Sequence, residues 1–307
     1  VFLSGGTEGN NLAIFGIADK HSSGHIITSA IEHESVLEPI KELEKRGFRT
    51  TFLPVGNNGI VNPEDLQSAL TDDTILVSIM SANNEIGTIQ PIAEIATILR
   101  DHSAVFHVDA CQSLPKTLEG IDLLTLNGGK IYGPKGVGLL YVRDGIKLQP
   151  RVFGGGHERG LRSGTENIPA IIGLAKALAL PHHDNEIASL RDQLLNGITS
   201  ELDQITVNGD LAARLPNNLN LTVQGVEGEI LLMRLDLEGI DASAGSACTA
   251  GSADPSHVLL ALGRSQQEAH QSIRFSLGRL TTSEEIKKVI EIFIKNVREI
   301  RSESGTY

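Results

Sequence analysis

From Val1 to about Leu180, short and almost wholly apolar runs alternate with amphipathic stretches, the pattern of βα units around a mainly parallel sheet. The apolar runs predict strands at His25–Ser29, Thr50–Leu53, Thr74–Met80, Val105–Val108, Asp122–Leu126 and Val137–Val142, with helices between them. Val1, Phe2 and Leu3 read as the end of a buried strand that runs straight into a glycine turn. Asn62-Pro63-Glu64-Asp65 is a capped helix start with acids in its first turn, and Pro91 fits the first position of another helix. After Leu180 the rhythm changes to a long charged segment, Asn185 to Leu202, a strand at Asn218–Thr222, and a glycine- and serine-rich stretch from Ala242 to Ala253. The last helix is announced by a Thr282/Glu285 capping box, with Ile286, Val289, Ile290, Phe293, Val297 and Ile300 on one face. A domain boundary is therefore expected near Pro181, dividing the chain into 1–181 and 182–307.

Composition narrows the classes. Forty per cent of the 307 residues are hydrophobic, enough for a large core and too many for a disordered chain. A net charge of −12 disfavours a nucleic-acid partner, which calls for a positive field. No apolar run approaches the roughly 20 residues of a membrane span, so no membrane partner is expected. The only cysteines, Cys111 and Cys248, exclude a disulfide scaffold and point to a reducing compartment, the cytoplasm. The chain begins at Val1 inside a strand, and so reads as starting within its domain.

Three groups suggest chemistry only in combination. Ser4-Gly5-Gly6-Thr7, between strand and helix, aims backbone N–H groups at an anion, although such a turn alone is common. Asp109 ends an apolar strand at the carboxyl edge of the sheet, where open α/β proteins bind ligands; a helix cap would explain it equally well. Lys130, in Asn127-Gly128-Gly129-Lys130, sits among glycines that permit close approach of a ligand, whereas a lone lysine is ordinarily a solvated side chain. Anion cradle, carboxylate and lysine are together what pyridoxal phosphate requires. Cys248, in Gly245-Ser246-Ala247-Cys248-Thr249, reads as an exposed nucleophile, and Cys111 as an inert, mostly buried side chain. No metal ligands are assigned.

With these residues in place, the chain resembles the NifS/IscS-like cysteine desulfurases, pyridoxal phosphate enzymes of fold type I in the class V aminotransferase family. The resemblance runs nearly end to end through Ser4–Ala13, Ser81–Gly87, His107–Ser113, Lys130–Gly138, Gly154–Thr165, Gly245–Thr249 and Ser272–Arg279. It implies a large domain with a mainly parallel, seven-stranded sheet and a smaller α+β C-terminal domain carrying the Cys248 loop, with an amino-terminal segment of relatives absent. The family's roles then fall on Lys130 for covalent attachment of the cofactor, Gly6 and Thr7 for its phosphate, Asp109 for its ring nitrogen and His33 for stacking and proton transfer. Asn84 and Gln112 would meet the phenolic oxygen, and Thr165 would reach the phosphate from the neighbouring subunit of a homodimer. Arg274, or failing it Arg279, would grip the substrate carboxylate, with Asn84 beside it. The implied reaction converts L-cysteine to L-alanine with a persulfide on Cys248, for an iron–sulfur scaffold, tRNA thiolation or another sulfur acceptor.

Two positions depart from the family pattern. Relatives usually have Ser-Gly-His-Lys where this chain has Asn127-Gly128-Gly129-Lys130, so Asn127 replaces a phosphate contact and Gly129 a histidine. The alternatives that remain are a selenocysteine lyase, another C–S lyase, or a catalytically impaired, cofactor-binding partner in sulfur transfer.

Overall fold

A computed structural model describes residues 1–180, 183–244 and 254–303. Cys248 and the rest of its Gly245–Thr249 motif lie outside the described residues. The chain divides into two compact units: Val1–Pro54, Val61–Asn83 and Gln90–Pro181 form one, and Val55–Ile60, Asn84–Ile89 and His182–Tyr307 the other. Two short segments from early in the chain thus belong with the C-terminal residues, which a division at one point in the sequence does not provide for.

The first unit is built on a sheet of β1 (Phe2–Leu3), β2 (His25–Ser29), β3 (Arg49–Leu53), β4 (Thr74–Met80), β5 (Val105–Asp109), β6 (Leu123–Asn127) and β7 (Gly138–Val142). Their order is β1-β7-β6-β5-β4-β2-β3. From β3 to β6 the strands are parallel, while β7 and β1 join antiparallel. Parallel strands covered on both faces need unbroken apolar runs, and β2 is buried at every residue. Helices α1 (Gly6–Ala18), α2 (Glu34–Lys45), α3 (Pro63–Ala69), α4 (Ile92–Leu99) and α5 (Ile168–Leu178) complete the unit. Inside the sheet, Ser78 Oγ on β4 meets His107 Nδ1 on β5 at 2.8 Å, and His107 Nε2 meets Thr125 Oγ1 on β6 at 2.9 Å. Burial holds this imidazole at a pKa of about 4, against the opposing charge of Asp109, so it is a neutral cross-strand tie.

Several boundaries differ from expectation for local reasons. Helix α1 starts at Gly6, inside the Ser4-Gly5-Gly6-Thr7 turn, with Gly5 as its N-cap. Pro91 is the N-cap of α4 rather than its first residue. Asn62 does cap α3, accepting a hydrogen bond from Glu64 N at 3.1 Å. Strands β5 and β6 run one residue further than their apolar runs, through Asp109 and Asn127, because ladder pairing continues past the last apolar side chain.

The second unit contains α6 (Asp184–Thr199), β8 (Ile205–Val207), β9 (Asn218–Val223), α7 (Gly228–Leu237), β10 (Ser243–Ala244), α8 (His257–Ala261), α9 (Gln266–His270), β11 (Ser272–Ser276) and α10 (Ser283–Glu303). Its antiparallel sheet has the order β10-β11-β9-β8. The capping box forms, with Thr282 N donating to Glu285 Oε2 at 2.7 Å and Glu285 N to Thr282 Oγ1 at 3.2 Å. Ile286, Phe293, Val297 and Ile300 of α10 bury against the sheet, where Phe293 packs edge-on to Phe275.

Candidate active site

In the first unit, the carboxyl ends of β5 and β6 converge with the start of α1. Asp109, the last residue of β5, is buried at 6% exposure. Its Oδ2 accepts from Asn10 Nδ2 at 2.7 Å and its Oδ1 from Cys111 N at 3.0 Å. Lys130 ends a single 3₁₀ turn, Gly128–Lys130, that follows β6 directly, and its side chain is exposed. Asn127 starts that turn by accepting from Gly129 N at 3.3 Å.

Gly5 leaves α1 without a side-chain cap, so the first-turn N–H groups of Gly6 and Thr7 remain for an anion. A Cβ on Gly6 would stand 2.5 Å from Cys111 Sγ and 3.5 Å from Asn127 Cβ, which puts this helix start against the turn after β5 and the last residue of β6. Glu8, one residue further on, accepts from Ser4 N at 2.7 Å and from Arg162 Nε at 2.9 Å. Burial pushes the Glu8 carboxyl up, but these hydrogen bonds outweigh it and hold it below its usual range. Its charge is thus matched by Arg162, a residue of the glycine-rich Gly154–Thr165 segment.

His33 is the N-cap of α2: its Nδ1 accepts from Ser35 N at 3.1 Å and meets Ser35 Oγ at 2.8 Å. Gln112 is half-buried in the turn after Asp109, a turn held by Ser81 Oγ donating to Ser113 O at 2.5 Å. Thr165 is exposed. Burial raises the Cys111 thiol well above the ordinary range, reinforced by the charge and hydrogen bonding of Asp109, so Cys111 is a poor thiolate.

The second unit brings together Arg274, on β11, and Asn84: Arg274 Nη1 donates to Asn84 O at 3.0 Å. Ser243 of β10, the strand from which the sequence enters the Cys248 segment, pairs with Arg274. Arg279 is exposed beyond the end of β11.

Sequence reasoning missed three buried residues of the first unit: Asn10, Ser35 and Glu32. Asn10 and Glu32 are fully buried and Ser35 is 8% exposed. Asn10 did carry a signal, an amide among the apolar residues of α1. Glu32 Oε1 accepts from Ser29 Oγ at 2.6 Å and Met80 N at 2.9 Å. Burial outweighs those hydrogen bonds and, with the charge of Asp109, raises its carboxyl to about 8.

These groups fit pyridoxal phosphate. The uncapped helix start, too tight at Gly6 for any side chain, suits a phosphate; the buried Asp109 suits a protonated ring nitrogen; the exposed Lys130 amine suits covalent attachment.

Comparison with known proteins leads to the same place. The model of the class-V aminotransferases matches residues 1–289. The chain is 46% identical to the cysteine desulfurase IscS of Clostridium botulinum, over 99% of this chain and 80% of that protein. Among solved structures, a NifS-like protein superimposes with a TM-score of 0.88 at 36% identity, over 98% of this chain and 82% of that one. DndA from Streptomyces lividans does so with a TM-score of 0.78 at 43% identity, over 90% and 82%. A cradle, a carboxylate and a lysine at one sheet edge, joined to similarity on this scale, establish that the chain belongs to the class-V aminotransferases, pyridoxal phosphate enzymes, and within them to the cysteine desulfurases.

Proposed function

We propose that this protein converts L-cysteine to L-alanine and collects the sulfur as a persulfide on Cys248. The observation that carries the reading is the pairing of a buried carboxylate, Asp109, with an exposed amine, Lys130, at the ends of neighbouring strands beside an uncapped helix start. Lys130 would hold the cofactor covalently, Gly6, Thr7 and Asn127 its phosphate, Asp109 its ring nitrogen, Gln112 and Asn84 its phenolic oxygen, and His33 one face of its ring. When bound, pyridoxal phosphate supplies an electron sink that makes the Cα proton of an amino acid labile.

The remaining work belongs to this chain. The Arg274 guanidinium, steadied by the Asn84 carbonyl, offers a fork that matches the substrate carboxylate, with Arg279 the second choice. Lys130 Nζ would take the proton from the substrate Cα. The Cys248 thiolate attacks the substrate sulfur, so that an S–S bond forms as the substrate Cβ–S bond breaks. The electron pair stays with the substrate carbon, which is protonated on the way to alanine. The persulfide's outer sulfur is later handed to the thiol of an acceptor protein, an iron–sulfur scaffold or another sulfur carrier. Cys111 is unsuited to that task, because its raised pKa keeps it a thiol.

A homodimer in which Thr165 reaches the neighbouring cofactor phosphate is supported by the exposure of Thr165 and of the nearby apolar Phe153, Ile168 and Ile172. A cytoplasmic location suits a thiol that must be regenerated at each turnover. Among the described residues, no helix is long and apolar enough to cross a membrane.

The test is to incubate purified holoenzyme with L-cysteine and measure alanine together with Cys248 persulfide by mass spectrometry. Cys248→Ser should keep the cofactor yet stop alanine release, and Cys111→Ser should be nearly neutral. Equal loss in both variants would overturn the choice of nucleophile, and pyruvate with free sulfide in place of alanine and persulfide would favour a plain C–S lyase.

A further inference from the structure

The hydrogen bonds between Asp109 and His33 have only one consistent set of directions. A carboxylate only accepts, so the Asn10 group 2.7 Å from Asp109 Oδ2 must be its NH2. The second hydrogen of that NH2 goes to Ser35 Oγ at 2.8 Å, and the Ser35 hydroxyl is left to donate to His33 Nδ1 at 2.8 Å. Ser35 N–H points at the same Nδ1 from 3.1 Å, and an N–H only donates. Nδ1 is therefore an acceptor, and the proton of the neutral ring sits on Nε2.

We propose that Asn10 and Ser35 form a positioning relay that ties the Asp109 carboxylate to the His33 ring and selects the Nε2–H form of that ring. The inference rests on the reading of Asp109 and His33 as the groups that hold the cofactor ring from its nitrogen and from one face. Helix α1 then performs two tasks: its first turn offers N–H groups to the phosphate, and one turn later its Asn10 sets the carboxylate. The arrangement is retained at a cost, because Asn10 Oδ1 is buried with no partner among the described residues, and a buried unpaired acceptor has lost its water without replacement. An apolar side chain would avoid that cost, so the NH2 end is what the site requires. Neither Asn10 nor Ser35 needs to touch the cofactor or the substrate to act in this way.

The test uses 15N-histidine-labelled holoenzyme as wild type, Asn10→Leu, Ser35→Ala, Ser35→Thr and the Asn10→Leu/Ser35→Ala double variant. In the wild type, His33 should give the resonances of a neutral ring protonated at Nε2. Ser35→Ala should move the His33 Nδ1 resonance toward that of an unbonded acceptor, Asn10→Leu should move it the same way by less, and Ser35→Thr should restore it. Turnover should fall about 10- to 100-fold in Asn10→Leu with KM little changed, since misplaced reacting groups lose rate rather than ground-state binding. The double variant should be no worse than the poorer single one, as expected of groups acting in series. Additive losses, an unmoved Nδ1 resonance in Asn10→Leu, or a wild-type ring protonated at Nδ1 would each overturn the relay. Should Asn10→Leu not fold, the Ser35→Ala and Ser35→Thr pair reads the same link through the same resonance. A wild type that binds no pyridoxal phosphate would defeat the functional reading alone, because the His33 resonances report on the relay without cofactor.

Discussion

Asp109 and Lys130 follow the same structural rule, a functional group at the end of a parallel strand, yet the fold treats them in opposite ways. Asp109 is 6% exposed and receives hydrogen bonds from Asn10 and from Cys111 N. Lys130 stands exposed at the end of a three-residue turn, between Gly129 and the exposed Tyr132, whose own φ is +64°. A group that must present one charge in one place gains from being buried and bonded on every side. An amine that must attach, let go and carry a proton needs room, and a turn flanked by glycine provides it.

The largest effect should come from the exposed side. Lys130→Ala is expected to cost about 10³-fold or more in alanine formation, with little change in melting temperature because an exposed side chain is lost. Borohydride reduction should fix the cofactor on Lys130 in the wild type. A covalent adduct on Lys135 instead would show that the wrong lysine has been set against Asp109.

Gly6→Ala attacks the junction of the two strand ends. The new Cβ would meet Cys111 Sγ at 2.5 Å, so Cys111 and the turn after Asp109 must shift. Pyridoxal phosphate affinity, followed by absorbance titration, should weaken about tenfold. The Gly6→Ala/Cys111→Ala double variant should recover most of it, and wild-type affinity in the single variant would remove the close packing from the account.

Glu32→Gln sharpens the fixed side. A carboxyl whose pKa rises to about 8 on folding still holds its proton where the unfolded chain has released it. Stability is therefore lost as pH climbs from the usual carboxylate range through about 8. Glutamine keeps an accepting oxygen for Ser29 and Met80 N and cannot ionise. Its melting temperature should therefore fall less than that of the wild type, by a few degrees, between about pH 5 and pH 9. Parallel curves for the two proteins would show that Glu32 is not the titrating group.

The smallest effect is expected at Gly129→His, which fills the space beside Lys130. The nearest atoms to a Cβ there are Lys135 Cγ at 3.6 Å and Asn127 Oδ1 at 3.8 Å, ordinary contacts, and Gly129 does not need the left-handed conformation. The variant should fold normally, and turnover should stay the same or slow by less than about tenfold. A tenfold gain would mean that the open side of the comparison is a lost proton relay.

What was legible from the chain itself was whatever depends on neighbours in sequence. Apolar runs marked β2 and β4 to the residue, because strands covered on both faces are continuous. The Thr282/Glu285 box and the Asn62 cap were readable because a cap and its N–H lie within three residues. For the same reason Asp109 was recognisable as a strand-end group that follows directly on an apolar run, and Lys130 as a lysine set among glycines.

Only the tertiary structure decided what joins residues far apart. Asn10 meets Asp109 across 99 positions and Ser35 across 25, and Val55–Ile60 and Asn84–Ile89 group with the C-terminal unit although they lie far before it in the chain. Periodicity assigns a residue to a face of its own helix or strand, and so can show Asn10 only as an amide on an apolar helix. Which carboxylate and which hydroxyl that amide would find depended on how α1, α2 and β5 pack together, and buried polar groups select their partners only once that packing has excluded water.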